Sequence, residues 1–211
     1  MDKVNYIFDL DGTIINSSNE VLNCLERAFE SADYPIDRSR LTSDLIGPPL
    51  RIIIQNVAPQ LKDETVIDII TRNFREIYDN DKNDISVLYD GIYDKLLDLK
   101  KRNKRLFLAT LKPHKPTQRV ICDFKLNMFE DIYTIDKFSK QMTKTEMILD
   151  IIGKYNLNKT ETVMIGDAAS DVISAKEAGI EGIGALWGYG KDKTDLIKNS
   201  EFVISKAEEI E

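Results

Sequence analysis

The 211-residue chain has two cysteines, one histidine and one tryptophan, and no surplus of positive charge. Cys24 and Cys122 lack the spacing of metal-binding thiolates, so both are expected to stay reduced and fill core space. A net charge of −7 argues against a nucleic-acid partner, which would need a clustered basic face. An anionic ligand would therefore have to be met locally, by a metal ion or by a few placed lysines and arginines. No hydrophobic run is long enough to span a bilayer, and the opening "MDKVNYIF" starts a strand, not a signal peptide. The expectation is a cytoplasmic protein with no membrane partner. There is no internal repeat and no low-complexity segment, and oligomeric state is not legible. Apolar and charged fractions of 42% and 31% are ordinary for a folded soluble chain.

Four short apolar runs read as buried strands: Val4–Phe8, Arg105–Thr110, Thr162–Ile165 and Ile183–Leu186, with Phe202–Ile204 a weaker fifth. Amphipathic segments lie between them. Leu96, Leu97 and Leu99 line one side after Gly91; Met147, Ile148, Ile151 and Ile152 do so after Thr143; Val172, Ile173, Ala175 and Ala178 do so after Ser170. Strands alternating with helices predict right-handed βαβ units, a parallel sheet covered on both faces and an α/β, Rossmann-like core. About ninety residues separate the first strand from the second, too many for one crossover helix. Helical patterns at Val21–Phe29, Leu50–Val57 and Val66–Tyr78, broken by turn signals at Asp33-Tyr34-Pro35 and Ile46-Gly47-Pro48-Pro49, fill the gap. The predicted organisation is a core of residues 1–14 and 86–211 with an inserted helical cap subdomain at 15–85. The charged stretch Asp79–Asp84 would lead back into the core.

The polar residues of interest fall at equivalent places on this frame. Asp9 and Asp11 follow the first strand, Thr110 closes the second, and Gly166 and Asp167 follow Val163-Met164-Ile165, with Asp171 four residues further on. Ligands of open α/β sheets bind outside the carboxyl ends of the strands. Taken singly, each piece has a plain structural role: a turn aspartate, a helix cap, a strand-end threonine, a solvated lysine at Lys144. Together they would bring several carboxylates into one cleft, where all cannot stay ionised without compensation. A divalent cation is the simplest compensation, and oxygen ligands without His or Cys suit Mg²⁺.

These motifs resemble the haloacid dehalogenase (HAD) superfamily of phosphotransferases over nearly the whole chain. Asp9-Leu10-Asp11-Gly12-Thr13 matches the first motif and the strand ending in Thr110 the second. Lys144 in "MTKTEMI" best matches the third, with Lys140 as competitor, and Gly166-Asp167-Ala168-Ala169-Ser170-Asp171 matches the fourth. "IGPPL" (Ile46–Leu50) and "WGYG" (Trp187–Gly190) look like the phosphoglycolate phosphatase-like branch. The resemblance implies a Mg²⁺-dependent phosphatase acting on small phosphorylated metabolites. In it Asp9 is the nucleophile that carries an aspartyl-phosphate, and Asp11 protonates the leaving oxygen and later deprotonates water. Asp9, the Asp11 carbonyl and Asp167 would hold the metal, with Asp171 acting behind them or through water. Thr110 and the Leu111 N–H would bind phosphoryl oxygens, and Lys144 would offset charge and orient Asp9. Asp11 separates this reading from the metal-free dehalogenases. A sugar-phosphate mutase shares every core motif and remains open; a phospho-acceptor module without turnover fits less well, because Asp11 would shorten the life of the intermediate. Leu111 stands where the branch often has Asn or Ser, which leaves the substrate open.

Four features outside the motifs have two readings each. Arg51, opening a helix after Gly47-Pro48-Pro49, either reaches an anionic substrate group or is a solvated surface arginine. Lys112 either approaches the phosphate or is solvated. His114 reads as an exposed helix-entry residue, since the aspartate pair already fills the acid–base role. The glycines of "GIGALWGYG" lack the dinucleotide-binding order and read as a turn or a site rim.

Overall fold

The structure is a computed structural model that describes residues 3–80, 86–138, 141–190 and 193–211. Along the chain, β1 (Asn5–Phe8) and β2 (Ile15–Asn16) precede three helices, α1 (Ser18–Glu30), α2 (Leu50–Val57) and α3 (Glu64–Asn80). Next come β3 (Val87–Leu88), α4 (Ile92–Lys101), β4 (Arg105–Thr110), α5 (His114–Asp123), β5 (Asp131–Thr134) and α6 (Lys144–Tyr155). The chain ends with β6 (Thr162–Gly166), α7 (Ala169–Ala178), β7 (Glu181–Ala185), α8 (Lys193–Asn199) and β8 (Phe202–Ile204). It divides into two compact units, Ser17–Ser86 and the remainder.

The larger unit is built on a six-stranded sheet of order β5-β4-β1-β6-β7-β8, with every pairing parallel. The central strands read as unbroken apolar runs because both of their faces are covered. Tyr6, Phe8, Leu106, Leu108, Val163 and Ile165 point into one core with Ile92, Leu96 and Leu99 of α4 and Val120 and Ile121 of α5. The alternate residues Ile7, Phe107, Ala109, Tyr133 and Met164 enter the other, against Met147, Ile148 and Ile151 of α6 and Ala175 and Ala178 of α7. From β1 the chain builds outward through β4 and β5, then returns to β6 on the opposite side of β1. That reversal puts the topological switch point at the carboxyl end of β1, where such sheets form their ligand crevice. A two-stranded antiparallel pair, β2 with β3, lies where the chain leaves and rejoins this unit.

The smaller unit packs α1, α2 and α3 around Cys24, Leu25, Phe29, Ile54, Ile67, Ile70 and Phe74. The Ser86 hydroxyl donates to Glu20 Oε2 at 2.5 Å, tying its last residue to its first helix. No helix among the described residues is long and apolar enough to cross a membrane.

Two local expectations change. β5 is absent from the sequence reading: it is a four-residue edge strand that opens with Asp131 and carries only Ile132 and Tyr133 as apolar members. Cys122 is exposed on α5, whereas Cys24 is buried as expected. Lys140, and most of the charged stretch after Asp79, lie outside the described residues.

Asp131 anchors that edge. Lys137 donates to its Oδ1, Lys154 and Tyr155 donate to its Oδ2 at 2.8 and 2.9 Å, and the Ile132 N–H donates to Oδ1 at 2.8 Å. Burial alone would raise the Asp131 pKa, but these donors outweigh it and bring it down to about 2. A carboxyl whose folded pKa lies below its unfolded one stabilises the protein above the unfolded value, near pH 4, and loses that contribution as pH falls through about 2. Asp131→Asn should therefore cost about 1 kcal/mol at pH 7, allowing for solvent screening of Lys154. The difference from wild type should shrink below about pH 4 in urea unfolding curves; a cost that stayed constant down to pH 2 would contradict the assignment.

Candidate active site

The loop after β1 carries Asp9, whose N–H donates to the Ile165 carbonyl at 2.9 Å and so binds the loop to neighbouring β6. The chain then turns sharply at Gly12, whose φ of +85° favours glycine. A Cβ there would stand 2.2 Å from Asp167 Oδ2, so the close approach of the first and last acidic segments also requires glycine. Asp167 follows β6 directly. Asp171, in the first turn of α7, accepts the Ala168 N–H on Oδ2 at 3.1 Å, an N-terminal cap made from inside the helix.

Lys144 is the first residue of α6, and a capping box fixes that start. Thr143 Oγ1 accepts the Glu146 N–H at 3.2 Å while Glu146 accepts the Thr143 N–H at 2.8 Å. Lys144 Nζ then bridges Asp9 Oδ1 at 2.7 Å and Asp171 Oδ1 at 2.5 Å, with all three side chains buried. Ligand-capable oxygens of Asp9, Asp167 and Asp171 lie within 4.8 Å of one another.

Burial is the main influence on these groups. It pushes the Asp9 pKa well above the usual carboxylate range, with Asp171 and Asp167 adding to the shift, in spite of Lys144. Burial, then Asp171, push Asp167 up to about 6, against the Gly190 N–H, Lys193 and Lys144. Burial would lower the Lys144 pKa, but Asp171 and Asp9 overcome it and hold the ammonium firmly charged. Lys144 thus bridges two of the three buried carboxylates and Lys193 acts on the third, which leaves the cluster short of positive charge. An all-oxygen donor set of this kind could hold a hard divalent cation.

Asp11 stands apart from the cluster. Its Oδ1 accepts from Lys112 Nζ at 2.9 Å, and the Lys112 side chain is only 4% exposed. Of the two sequence readings of Lys112, solvation is therefore ruled out. Thr110 is buried at the end of β4, where its Oγ1 accepts the Lys112 N–H at 3.1 Å. Leu111, between them, is 44% exposed. His114 is exposed at the start of α5, with its N–H on Asp136 Oδ1 at 2.7 Å. Arg51 pairs with Glu64 and Asp68 inside the helical unit.

Several neighbours of Asp167 have no signal in the sequence. The Gly190 N–H donates to its Oδ2 at 2.7 Å, and the Thr13 hydroxyl donates to its Oδ1 at 3.3 Å. Half-buried Tyr89 lies close enough to Asp167 and Asp11 that their charges, after burial, raise its pKa. A glycine-rich segment can be recognised as a rim, but a backbone N–H aimed at a particular carboxylate cannot.

A family model described as haloacid dehalogenase-like hydrolase matches residues 6–185. Among curated proteins, the chain is 25% identical over 204 residues to a phosphoglycolate phosphatase of Vibrio cholerae, covering 93% of this chain and 90% of that protein. It is 26% identical over 208 residues to a Mycobacterium tuberculosis protein named tyrosine-protein kinase PtkA, covering 97% of this chain and 69% of the relative. Among solved structures, a predicted phosphatase from Clostridium acetobutylicum superposes with a TM-score of 0.82 at 26% identity, over 99% of this chain and 96% of that one.

Lys144→Met would leave Asp9 and Asp171 buried without their bridging cation. The expected cost is about 3–5 kcal/mol in urea unfolding of the metal-free protein. Added divalent cation should recover part of it. A loss under about 1 kcal/mol would show that the cluster does not depend on this lysine.

Proposed function

The chain belongs to the haloacid dehalogenase-like hydrolases, and we propose that it is a Mg²⁺-dependent phosphatase that hydrolyses small-molecule phosphomonoesters through an aspartyl-phosphate on Asp9. It is a phosphatase of the phosphoglycolate phosphatase-like kind; the metal, the chemical steps and the substrate class are the proposal. The observation that carries it is the buried Asp9–Asp167–Asp171 cluster, two of whose members are bridged by Lys144, at the switch point of the sheet.

Asp9, Asp167 and the Asp11 carbonyl would hold Mg²⁺, with Asp171 positioning Lys144 behind them. When bound, the cation supplies positive charge that screens the incoming phosphate from the carboxylates. Lys144 holds one oxygen of Asp9 and so orients its carboxylate toward phosphorus. The Asp9 carboxylate forms a new O–P bond as the ester O–P bond breaks, and Asp11 gives its proton to the departing alkoxide. Thr110 and the Leu111 N–H hold phosphoryl oxygens through the transfer. Asp11, now a carboxylate, takes a proton from water as that water attacks the aspartyl-phosphate. Inorganic phosphate leaves, and both aspartates return to their starting states. The helical unit of Ser17–Ser86 would serve as the cap, and the partner is a small phosphorylated metabolite.

Asp9→Asn should abolish phosphate release from a panel of small monoesters with Mg²⁺ present, by at least about a thousandfold in kcat. A variant that retained turnover would remove Asp9 from the nucleophile role.

Asp11→Asn should depend on the leaving group. Alkyl phosphates, which need a proton, should lose about a hundredfold or more, and p-nitrophenyl phosphate much less in the first transfer. Equal losses for both, measured as phenol burst and phosphate release, would argue against Asp11 as the acid.

A further inference from the structure

The segment after β7, Leu186-Trp187-Gly188-Tyr189-Gly190, takes no part in those steps, yet it is packed directly onto the acidic cluster. The Gly190 N–H donates to Asp167 Oδ2 at 2.7 Å. Trp187 Nε1–H donates to the Thr13 carbonyl oxygen at 3.0 Å, and Thr13 in turn donates its hydroxyl to Asp167 Oδ1. At Gly188 the approach leaves no room for a side chain: a Cβ would stand 2.1 Å from the Gly12 carbonyl oxygen and 2.3 Å from Asp167 Cβ. Each oxygen of Asp167 therefore has its own donor. One comes from this segment, and the other from a residue whose peptide this segment holds.

Packing alone accounts for the glycines but not for the two directed hydrogen bonds. An ionised carboxylate offers about four lone-pair sites, and a donor on each oxygen fixes its plane while leaving sites for a cation. A ligand held in that way loses little freedom when the ion arrives, and removing such outer partners typically weakens metal binding 10–100-fold.

We propose that Leu186–Gly190 is a positioning strap for the cation: through the Gly190 N–H and the Trp187–Thr13 hydrogen bond it orients Asp167 and sets the affinity of the site for Mg²⁺. This rests on the Mg²⁺ site of the preceding section. Coupling is reciprocal, so a bound cation also tightens the seating of the strap. Trp187 is the only tryptophan of the chain, which makes its emission a direct reporter of that seating.

The test is calorimetric titration of Mg²⁺ into the full chain without substrate, with melting temperature followed alongside. Trp187→Phe keeps an aromatic ring in place and removes the indole N–H together with part of the ring volume. Its Mg²⁺ affinity should fall about tenfold, while the metal-free melting temperature moves by only a few degrees. Gly188→Ala, which must displace the strap, should fall further. In the wild type, indole emission should change with Mg²⁺ at the calorimetric midpoint. Wild-type affinity in both variants would overturn the strap and leave the phosphatase reading intact. Wild-type protein that binds no Mg²⁺ would overturn the strap together with the metal site, and phosphate release, assayed separately, would still decide whether the chain hydrolyses phosphomonoesters.

Discussion

The ammonium of Lys144, held between Asp9 and Asp171, is the contact on which the functional end of the molecule depends. It joins the loop after β1, the start of α6 and the first turn of α7, three segments far apart in sequence. Ions buried in this way each cost several kcal/mol unless they are paired and hydrogen-bonded. The fold has to satisfy that demand before any chemistry occurs. The parallel order β4-β1-β6 puts the two acidic segments side by side. The capping box at Thr143 fixes where α6 begins, and therefore where Lys144 enters. Lys144 between two of the three buried carboxylates, with Lys193 near the third, does not offset their burial, as the raised pKa values of Asp9 and Asp167 record. The same shortage of positive charge that burdens the resting protein would favour a bound cation, as the proposed reaction requires.

Asp9 and Asp11 are one residue apart, yet the turn at Gly12 sends them into different surroundings. Asp9 lies in the buried cluster, while the Asp11 side chain is 23% exposed and paired with Lys112. In the proposed reaction a nucleophile must be held rigidly, and one whose pKa burial raises needs a cation beside it to stay ionised, whereas a group that gives and takes protons must reach water. The separation would let both demands be met within a single pentapeptide.

The central strands and the acidic motifs were legible in the sequence for the same reason: each needs particular residue types at fixed spacing. β1, β4 and β6 are buried on both faces and so read as continuous apolar runs, and Asp9, Asp11, Asp167 and Asp171 follow them at positions that chemistry constrains. β5 was hidden because it is short and only half-buried at the edge of the sheet, with one apolar residue for each core and Asp131 at its start. Lys112 was ambiguous because its partner lies 101 residues away, and neither residue type nor local pattern separates a buried pair from a solvated lysine. The hold of Gly190 on Asp167 was invisible for a simpler reason: the donor is a peptide N–H, which every residue but proline possesses. Cys122 shows the opposite failure, since a residue type that is usually buried sits exposed on α5.

The way the polar groups answer one another bears on where specificity resides. Lys144 is shared by Asp9 and Asp171, Lys112 is joined to Asp11, and Asp167 is held by Thr13 and Gly190. In the proposed reaction these groups would serve the phosphoryl end, which is identical in every monoester, and would discriminate poorly among substrates. Discrimination needs contacts to the part that departs. Beside Thr110 the sheet offers Leu111, 44% exposed and unable to hydrogen-bond through its side chain. An apolar residue at that position cannot strongly reject a substrate for lacking a hydroxyl, because no buried polar partner would be left unpaired. Sharp selection would then have to come from polar contacts elsewhere, and the core alone would accept a range of small phosphorylated compounds.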